Sequence, residues 1–281
     1  MLVSRRFRHT LLLIVALPAG PLSAQAQVKL DASYTVTLAG IPIGKGDWTI
    51  EVSDKHYSAA ATATATGLMR VLTGAHGTTN ATGTFVDGQL VASTYYSTIT
   101  NYKKTDVVRL MVSGGTVKEA KIDPPQDSNP ERVPITEETQ KGIIDPMSAV
   151  LMRVSGTGEV LAPEACQRTL PVFDGRIRYD LQLAFKRMEA VKADKGYAGP
   201  AVVCAATFTP IAGHIPSRAA IRYISKAHDI EVWLVPIAGT RVLIPFRVQG
   251  PTPIGPAVFE ADTFVSTTMP NRASANGVKI Q

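Results

Sequence analysis

A chain of 281 residues with 29 Lys and Arg against 23 Asp and Glu carries a formal charge of +6, scattered without any block of five like charges. That excludes the clustered basic face a nucleic-acid-binding protein needs. Beyond the first 26 residues no stretch of about 18 apolar residues occurs, so no membrane-spanning helix is expected there.

The N-terminus reads as an export signal. Arg5, Arg6 and Arg8 precede the apolar run Leu11–Leu17, then come Pro18-Ala19-Gly20-Pro21 and the small-residue site Ala24-Gln25-Ala26. A basic region, a short apolar region and an A-x-A site predict cleavage near Ala26–Gln27 and delivery to the periplasm. The residues after the Arg pair fit ordinary secretion better than twin-Arg export, and no Cys stands at the cut to take a lipid anchor. The signal holds three Arg and no carboxylate, so the mature chain is left with 26 − 23 = +3.

Period-two alternation then dominates. Trp48, Ile50 and Val52 alternate with Asp47, Thr49, Glu51 and Ser53, as do Tyr179, Leu181, Leu183 and Phe185 with their polar neighbours. Such patterns predict strands with one apolar face. Gly40-Ile41-Pro42-Ile43-Gly44-Lys45 has a phosphate loop's flavour, but its spacing is one short and Pro42 lacks an amide. A turn between two strands is expected there. Ala59–Thr66, alternating Ala and Thr, reads as an exposed strand, or else as a small-residue surface that a backbone, helix or ligand approaches closely.

Asp87-Gly88, Gly114-Gly115 and Asp174-Gly175 tolerate positive φ and predict antiparallel hairpins at Val86–Leu90, Val112–Val117 and Val172–Ile177. Asp123–Pro134 is polar and Pro-rich and reads as a crossing loop. A helical turn is expected from Thr136. A longer helix is expected from Asp145, with Pro146 in its first turn and Met147, Val150, Leu151 and Val154 on one face. Ile230–Val235 should form a hairpin with Arg241–Val248. The prolines at 236, 245, 251, 253 and 256 demand bulges, edges or strand ends. From Thr268 to Gln281 too few apolar residues remain to pack.

The predicted fold is therefore mainly β: one domain over residues 27–267, built as a large curled antiparallel sheet, barrel-like or spiral, with one or two short helices. Twist and the gain from covering edges favour curling. Cys166 and Cys204 are the only cysteines. In an oxidising compartment an even pair reads first as a structural disulfide, and their spacing does not suit a C-x-x-C redox site.

Catalytic signatures are missing: there is no G-x-S-x-G, no H-E-x-x-H and no S-x-x-K with suitable partners. His56, His76, His214 and His228 show no local metal-ligand spacing. Asp174 and Asp180 flank Arg176 and Arg178, a pattern of cross-strand ion pairs or of a polar recognition patch. Asp229 with Glu231, and Glu260 with Asp262, share strand faces, as acid/base pairs or solvated surfaces do. Trp233 lies in the most continuously apolar strand, Val232–Val235, both of whose faces must be covered. Trp233, Leu234 and Met147 are the candidates for lining an apolar ligand cavity, with core packing as the alternative.

Five segments carry a resemblance: Leu38–Gly44, Asp145–Ala149, Cys166 with Leu170–Arg176, Gly196–Pro200 leading to Cys204, and Glu231–Leu234. Together they resemble the bacterial domain-of-unknown-function family 3108. The resemblance implies an exported β-rich protein of Gram-negative bacteria with no assigned reaction. More distantly the chain is similar to periplasmic β-spiral proteins linked to envelope integrity, and more loosely to half-barrel lipoprotein carriers. The expectation is a non-enzymatic, cofactor-free periplasmic protein supporting the envelope and binding a lipid-like ligand on its curled sheet. Its partners would be a lipid, a lipoprotein or another envelope protein. The alternatives are an interaction module for envelope assembly and a peptidoglycan or polysaccharide hydrolase using dispersed carboxylates and His.

Overall fold

The computed structural model describes residues 27–269; residues 1–26, where the export signal is expected, and residues 270–281 lie outside the described residues. The chain starts as a meander: β1 (Gln27–Leu38), β2 (Ile41–Val52), β3 (His56–Ala65), α1 (Gly67–Thr73), β4 (His76–Val86), β5 (Gln89–Thr100), β6 (Thr105–Ser113) and β7 (Thr116–Asp123). The two-residue turns Ala39-Gly40, Asp87-Gly88 and Gly114-Gly115 all have φ between 49° and 80°. These left-handed pairs match the twist of the strands they join. The segment expected to be a turn at Gly40–Lys45 is a turn only at Gly40, and β2 begins at Ile41.

After the crossing loop come α2 (Pro146–Ala149), β8 (Met152–Arg153), β9 (Arg168–Phe173), β10 (Arg178–Lys192), β11 (Lys195–Gly196) and β12 (Ala198–Ala212). The chain ends in α3 (Ala219–Ile224), β13 (Ile230–Pro236), β14 (Val242–Thr252) and β15 (Gly255–Met269). All strands join one sheet in the order β7-β6-β5-β4-β3-β2-β1-β15-β14-β13-β12-β10-β9, with β11 pairing β15 and β8 pairing β14. The main path is antiparallel throughout, and β15 folds back to pair with β1 from its first residue, Gln27 opposite Met269. Strand pairing thus continues two residues past the expected domain end at 267.

The sheet curls until its two ends meet. Arg176, in the turn between β9 and β10, places its guanidinium 3.2 Å from Asp106 on β6. At the other end of β6, the Ile143 amide donates to the Gly115 carbonyl at 2.8 Å, and Ile144 forms a parallel bridge with Val172. The edge strand β7 carries Lys118, Glu119 and Lys121 in a largely exposed run, which blunts it against further pairing.

Two apolar clusters fill the fold. The larger occupies the inside of the curl, with Leu30, Tyr34, Ile50, Tyr57, Leu110, Phe173, Trp233, Phe246 and Phe264. Ala59, Ala61 and Ala81 belong to it, so the alternating Ala/Thr strand is not simply exposed: the alanines of its first half form inner wall. Their small side chains leave space for α2, whose Ser148 hydroxyl sits 2.6 Å from that of Tyr57. The second cluster lies on the other face of β10, β12, β13 and β14, under the segment carrying Met152, Val154, Ala165 and Cys166.

The helix expected to run from Asp145 through Val154 is one turn long. Asp145 caps it as anticipated, its Oδ1 accepting from the Met147 and Ser148 amides at 3.0 and 2.8 Å. The chain then straightens because it must leave the inside of the curl: Met147 and Leu151 belong to the inner cluster, whereas Met152 and Val154 belong to the outer one. A continuous helix would have kept Met147, Leu151 and Val154 on one stripe. The expected helical turn near Thr136 is a short 3-10 turn at Glu138–Gln140, while α1 and α3 are short helices without buried residues.

Candidate functional site

The residues singled out from the sequence separate in space. Trp233 is 3% exposed and points into the curl, its ring in cation–π contact with the guanidinium groups of Arg247 at 4.8 Å and Arg187 at 5.4 Å. Leu234, next along the strand, points the opposite way into the outer cluster. Met147 is buried within the inner cluster. Both faces of β13 are covered by the protein's own side chains, and the three residues do not converge on one surface.

Cys166 and Cys204 form the expected disulfide, with their Cα atoms 5.5 Å apart. It pins the outer segment to β12 inside the outer cluster. Closing a loop of 38 residues stabilises the fold by roughly 3–4 kcal/mol on the chain-entropy model.

The carboxylates mostly serve the architecture. Asp180 pairs with Arg178 at 2.6 Å. Asp174 folds its own turn, Oδ1 accepting from the Arg176 and Ile177 amides at 2.7 Å each, while burial pushes its pKa up. Glu231 binds Lys186 and Arg187, and those cations hold its carboxyl below the ordinary range. Glu260 lies 3.8 Å from Arg247, and Asp262 accepts from the Thr35 hydroxyl at 2.7 Å. Among the described residues no three His, Cys, Asp or Glu side chains come together as a metal site.

Two clefts open at opposite ends of the curl. One, of about 390 Å³, lies where the sheet closes. Its floor is Tyr95, Ile99 and Val108, and its rim mixes Lys104, Arg132, Arg176 and Arg218 with Asp106, Asp127 and Asp174. Three of these four cations are already engaged: Lys104 and Arg176 with Asp106, and Arg132 with Asp127. Charge in this cleft is largely compensated.

The other cleft is larger, about 670 Å³, and differs in kind. The turn at Gly88, the start of β5, the turn at Gly114-Gly115, the residues after α2, and β9 enclose it. Leu90, Ile143, Ile144, Leu151, Met152 and Leu170 supply apolar wall. Arg153 and Arg168 are its charged lining residues, and no Asp, Glu or His lines it. Arg168 donates from Nη1 to the Arg153 carbonyl at 3.1 Å, its Nε is buried without a partner, and burial lowers its pKa. Arg153 stacks over Phe85 at 4.6 Å. Among the described residues neither arginine forms an ion pair. A half-buried guanidinium left without a counter-ion favours an anion beside it.

Sequence reasoning missed both arginines. They lie on either side of the disulfide-pinned segment, and neither period nor spacing marks them, because only the pairing of β8 with β14 and of β9 with β10 brings them to one wall.

The model of a family described as "Protein of unknown function (DUF3108)" matches residues 33–262. The chain belongs to this family. The DUF3108 match runs from within β1 to within β15, and so takes in the outer cluster, most of the inner one, the disulfide and both clefts. No curated protein matches the sequence. Among solved structures the chain is similar to a β-barrel-like protein of domain of unknown function DUF1849 from Brucella abortus. The two share 11% identity with a TM-score of 0.44, over 87% of this chain and 98% of that one.

Proposed function

We propose that this protein is an exported, non-enzymatic binding protein of the Gram-negative periplasm. In this reading it supports the envelope by holding an acidic, lipid-like molecule in the cleft of Arg153 and Arg168. The observation that carries the reading is the pairing of an apolar wall with two arginines that have no carboxylate of their own. Ligand sites are mostly apolar with a few placed polar groups, and roughly 300–1,000 Å³ is their usual size. The guanidinium groups would hold the head, a carboxylate or phosphate, and Leu90, Ile144, Met152 and Leu170 would flank the apolar body. Binding rather than turnover fits this cleft because none of its lining side chains can act as a general base near neutral pH.

Native mass spectrometry of the mature chain, purified from its own host and followed by organic extraction, tests this. A stoichiometric acidic lipid-like mass is expected. In a second measurement a dansylated fatty acid should bind the natural chain, and Arg153→Gln with Arg168→Gln, compared as folded protein, should weaken it by about tenfold or more. Equal binding by natural and doubly substituted chains would overturn the reading.

A further inference from the structure

The end of the curl opposite the arginine cleft carries a surface the protein does not cover. Four turns sit side by side there: β14–β15, β1–β2, the α1 connection between β3 and β4, and β5–β6. Hydrogen bonds tie them into one rim. The Ala39 amide donates to the Pro256 carbonyl at 2.8 Å, the Thr66 amide to Ile43 at 2.9 Å, and the Tyr102 amide to Thr73 at 3.0 Å. The Tyr102 hydroxyl adds a bond to the Arg70 carbonyl at 3.1 Å.

Every turn of this rim presents a large apolar side chain outward. Ile254, Ile41, Leu68, Val71, Leu72 and Tyr102 are each between 63% and 71% exposed. Leu68, Val71 and Leu72 stand at the i, i+3, i+4 spacing of a single helix face, yet α1 buries none of its residues. A helix of this kind has its apolar stripe turned away from the protein.

The charge of the rim is one-sided. Residues 39–45, 66–75, 101–104 and 252–256 contain Lys45, Arg70, Lys103 and Lys104, and no Asp or Glu. Lys104 leans on Asp106 just beyond the turn; the other three have no ion pair among the described residues. Apolar tips interleaved with cations suit the boundary of an anionic bilayer, where the tips enter below the head groups and the cations stay among the phosphates. A protein partner adding a strand is disfavoured, because this end presents turns rather than a free strand edge.

We propose that this rim docks the protein on anionic phospholipid, with Ile254, Ile41, α1 and Tyr102 inserted. The orientation leaves the arginine cleft open to the compartment. β5 runs from the cleft at Gln89 to the rim beyond Thr100, 12 residues or roughly 40 Å. The inference stands apart from the cleft's ligand.

Flotation of the mature chain with vesicles tests it. Binding is expected to phosphatidylcholine vesicles containing phosphatidylglycerol, with little to phosphatidylcholine alone and a marked loss in high salt. Leu68→Ser with Leu72→Ser, and separately Arg70→Glu with Lys103→Glu, should each reduce binding by on the order of tenfold. These side chains are exposed, so melting temperature and binding of the dansylated fatty acid should not move. Failure of the natural chain to float with anionic vesicles would overturn the proposal, as would equal flotation of the variants. Sedimentation velocity supplies the remaining outcome: a dimer lost in Leu68→Ser with Leu72→Ser, without vesicle binding, would make the rim a contact between copies instead.

Discussion

The Tyr34 hydroxyl donates to the Pro245 carbonyl across 2.9 Å, inside the curl and with no solvent exposure at Tyr34. The bond links β1 to β14 across the intervening β15. It exists because β14 begins its ladder with β15 only at Arg247, beyond the shift that Pro245 and Phe246 impose, so this carbonyl needs a partner from elsewhere. The ring of Tyr34 stacks on Phe259 with centroids 4.2 Å apart and meets Trp48 at 4.8 Å. Burial drives the Tyr34 pKa up, so the hydroxyl remains a donor at all ordinary pH. Tyr34→Phe keeps the stack and orphans the carbonyl, at a cost of roughly 1–3 kcal/mol. Tyr34→Ala also empties the stack and should cost about 3–5 kcal/mol. Urea denaturation of the two variants checks the difference; a Tyr34→Phe variant as stable as the natural chain would mean the hydrogen bond contributes nothing.

Asp145 gives the fold a pH signature. Burial raises its carboxyl from the ordinary 3.8 to about 6, outweighing the hydrogen bonds that pull it down. Between these values the folded chain keeps a proton that the unfolded chain has lost. This group's contribution to stability therefore falls as pH rises from about 4 to about 6, and is level above that. Asp145→Asn retains an acceptor for the Met147 and Ser148 amides and cannot ionise. The substitution should remove that slope and leave the chain at least as stable at neutral pH, as read from melting temperatures across the range. An unchanged slope would assign the pH dependence to other groups.

Loss of the disulfide should loosen one wall of the arginine cleft as well as the fold. Cys166→Ala with Cys204→Ala is expected to cost roughly 3–4 kcal/mol. Proteolysis should then cut first between β8 and β9, where the cross-link no longer holds the segment to β12. Denaturation with and without reductant, followed by mapping of the first cuts, measures both effects. Cleavage starting elsewhere would show that the outer cluster holds this segment unaided.

Trp233 separates core from site. Trp233→Ala should cost about 3–5 kcal/mol, since it removes a buried indole and deprives Arg187 and Arg247 of their cation–π contact. Its folded fraction should still bind the dansylated fatty acid like the natural chain, because the indole does not line the cleft of Arg153 and Arg168. A binding defect larger than the loss of folded protein would return Trp233 to the ligand site.

Much of this protein is written locally. Alternation along Asp47–Ser53 and Arg178–Phe185, the left-handed pairs Asp87-Gly88 and Gly114-Gly115, and the prolines from 236 to 256 determine strands, hairpins and bulges, because each depends on backbone φ or on residues two apart. The Cys166–Cys204 bond was legible from composition and expected compartment. What only the tertiary structure decided is where the curl closes, and therefore which residues meet. Asp106 finds Arg176 and Tyr34 finds Pro245 through strands that lie far apart in the chain. The same closure gathers Arg153 and Arg168 into one cleft and sets four turns into one apolar, basic rim. Neither grouping has a period, so no window of sequence contains it; the physical cause is the accumulated twist of a sheet that covers its own ends.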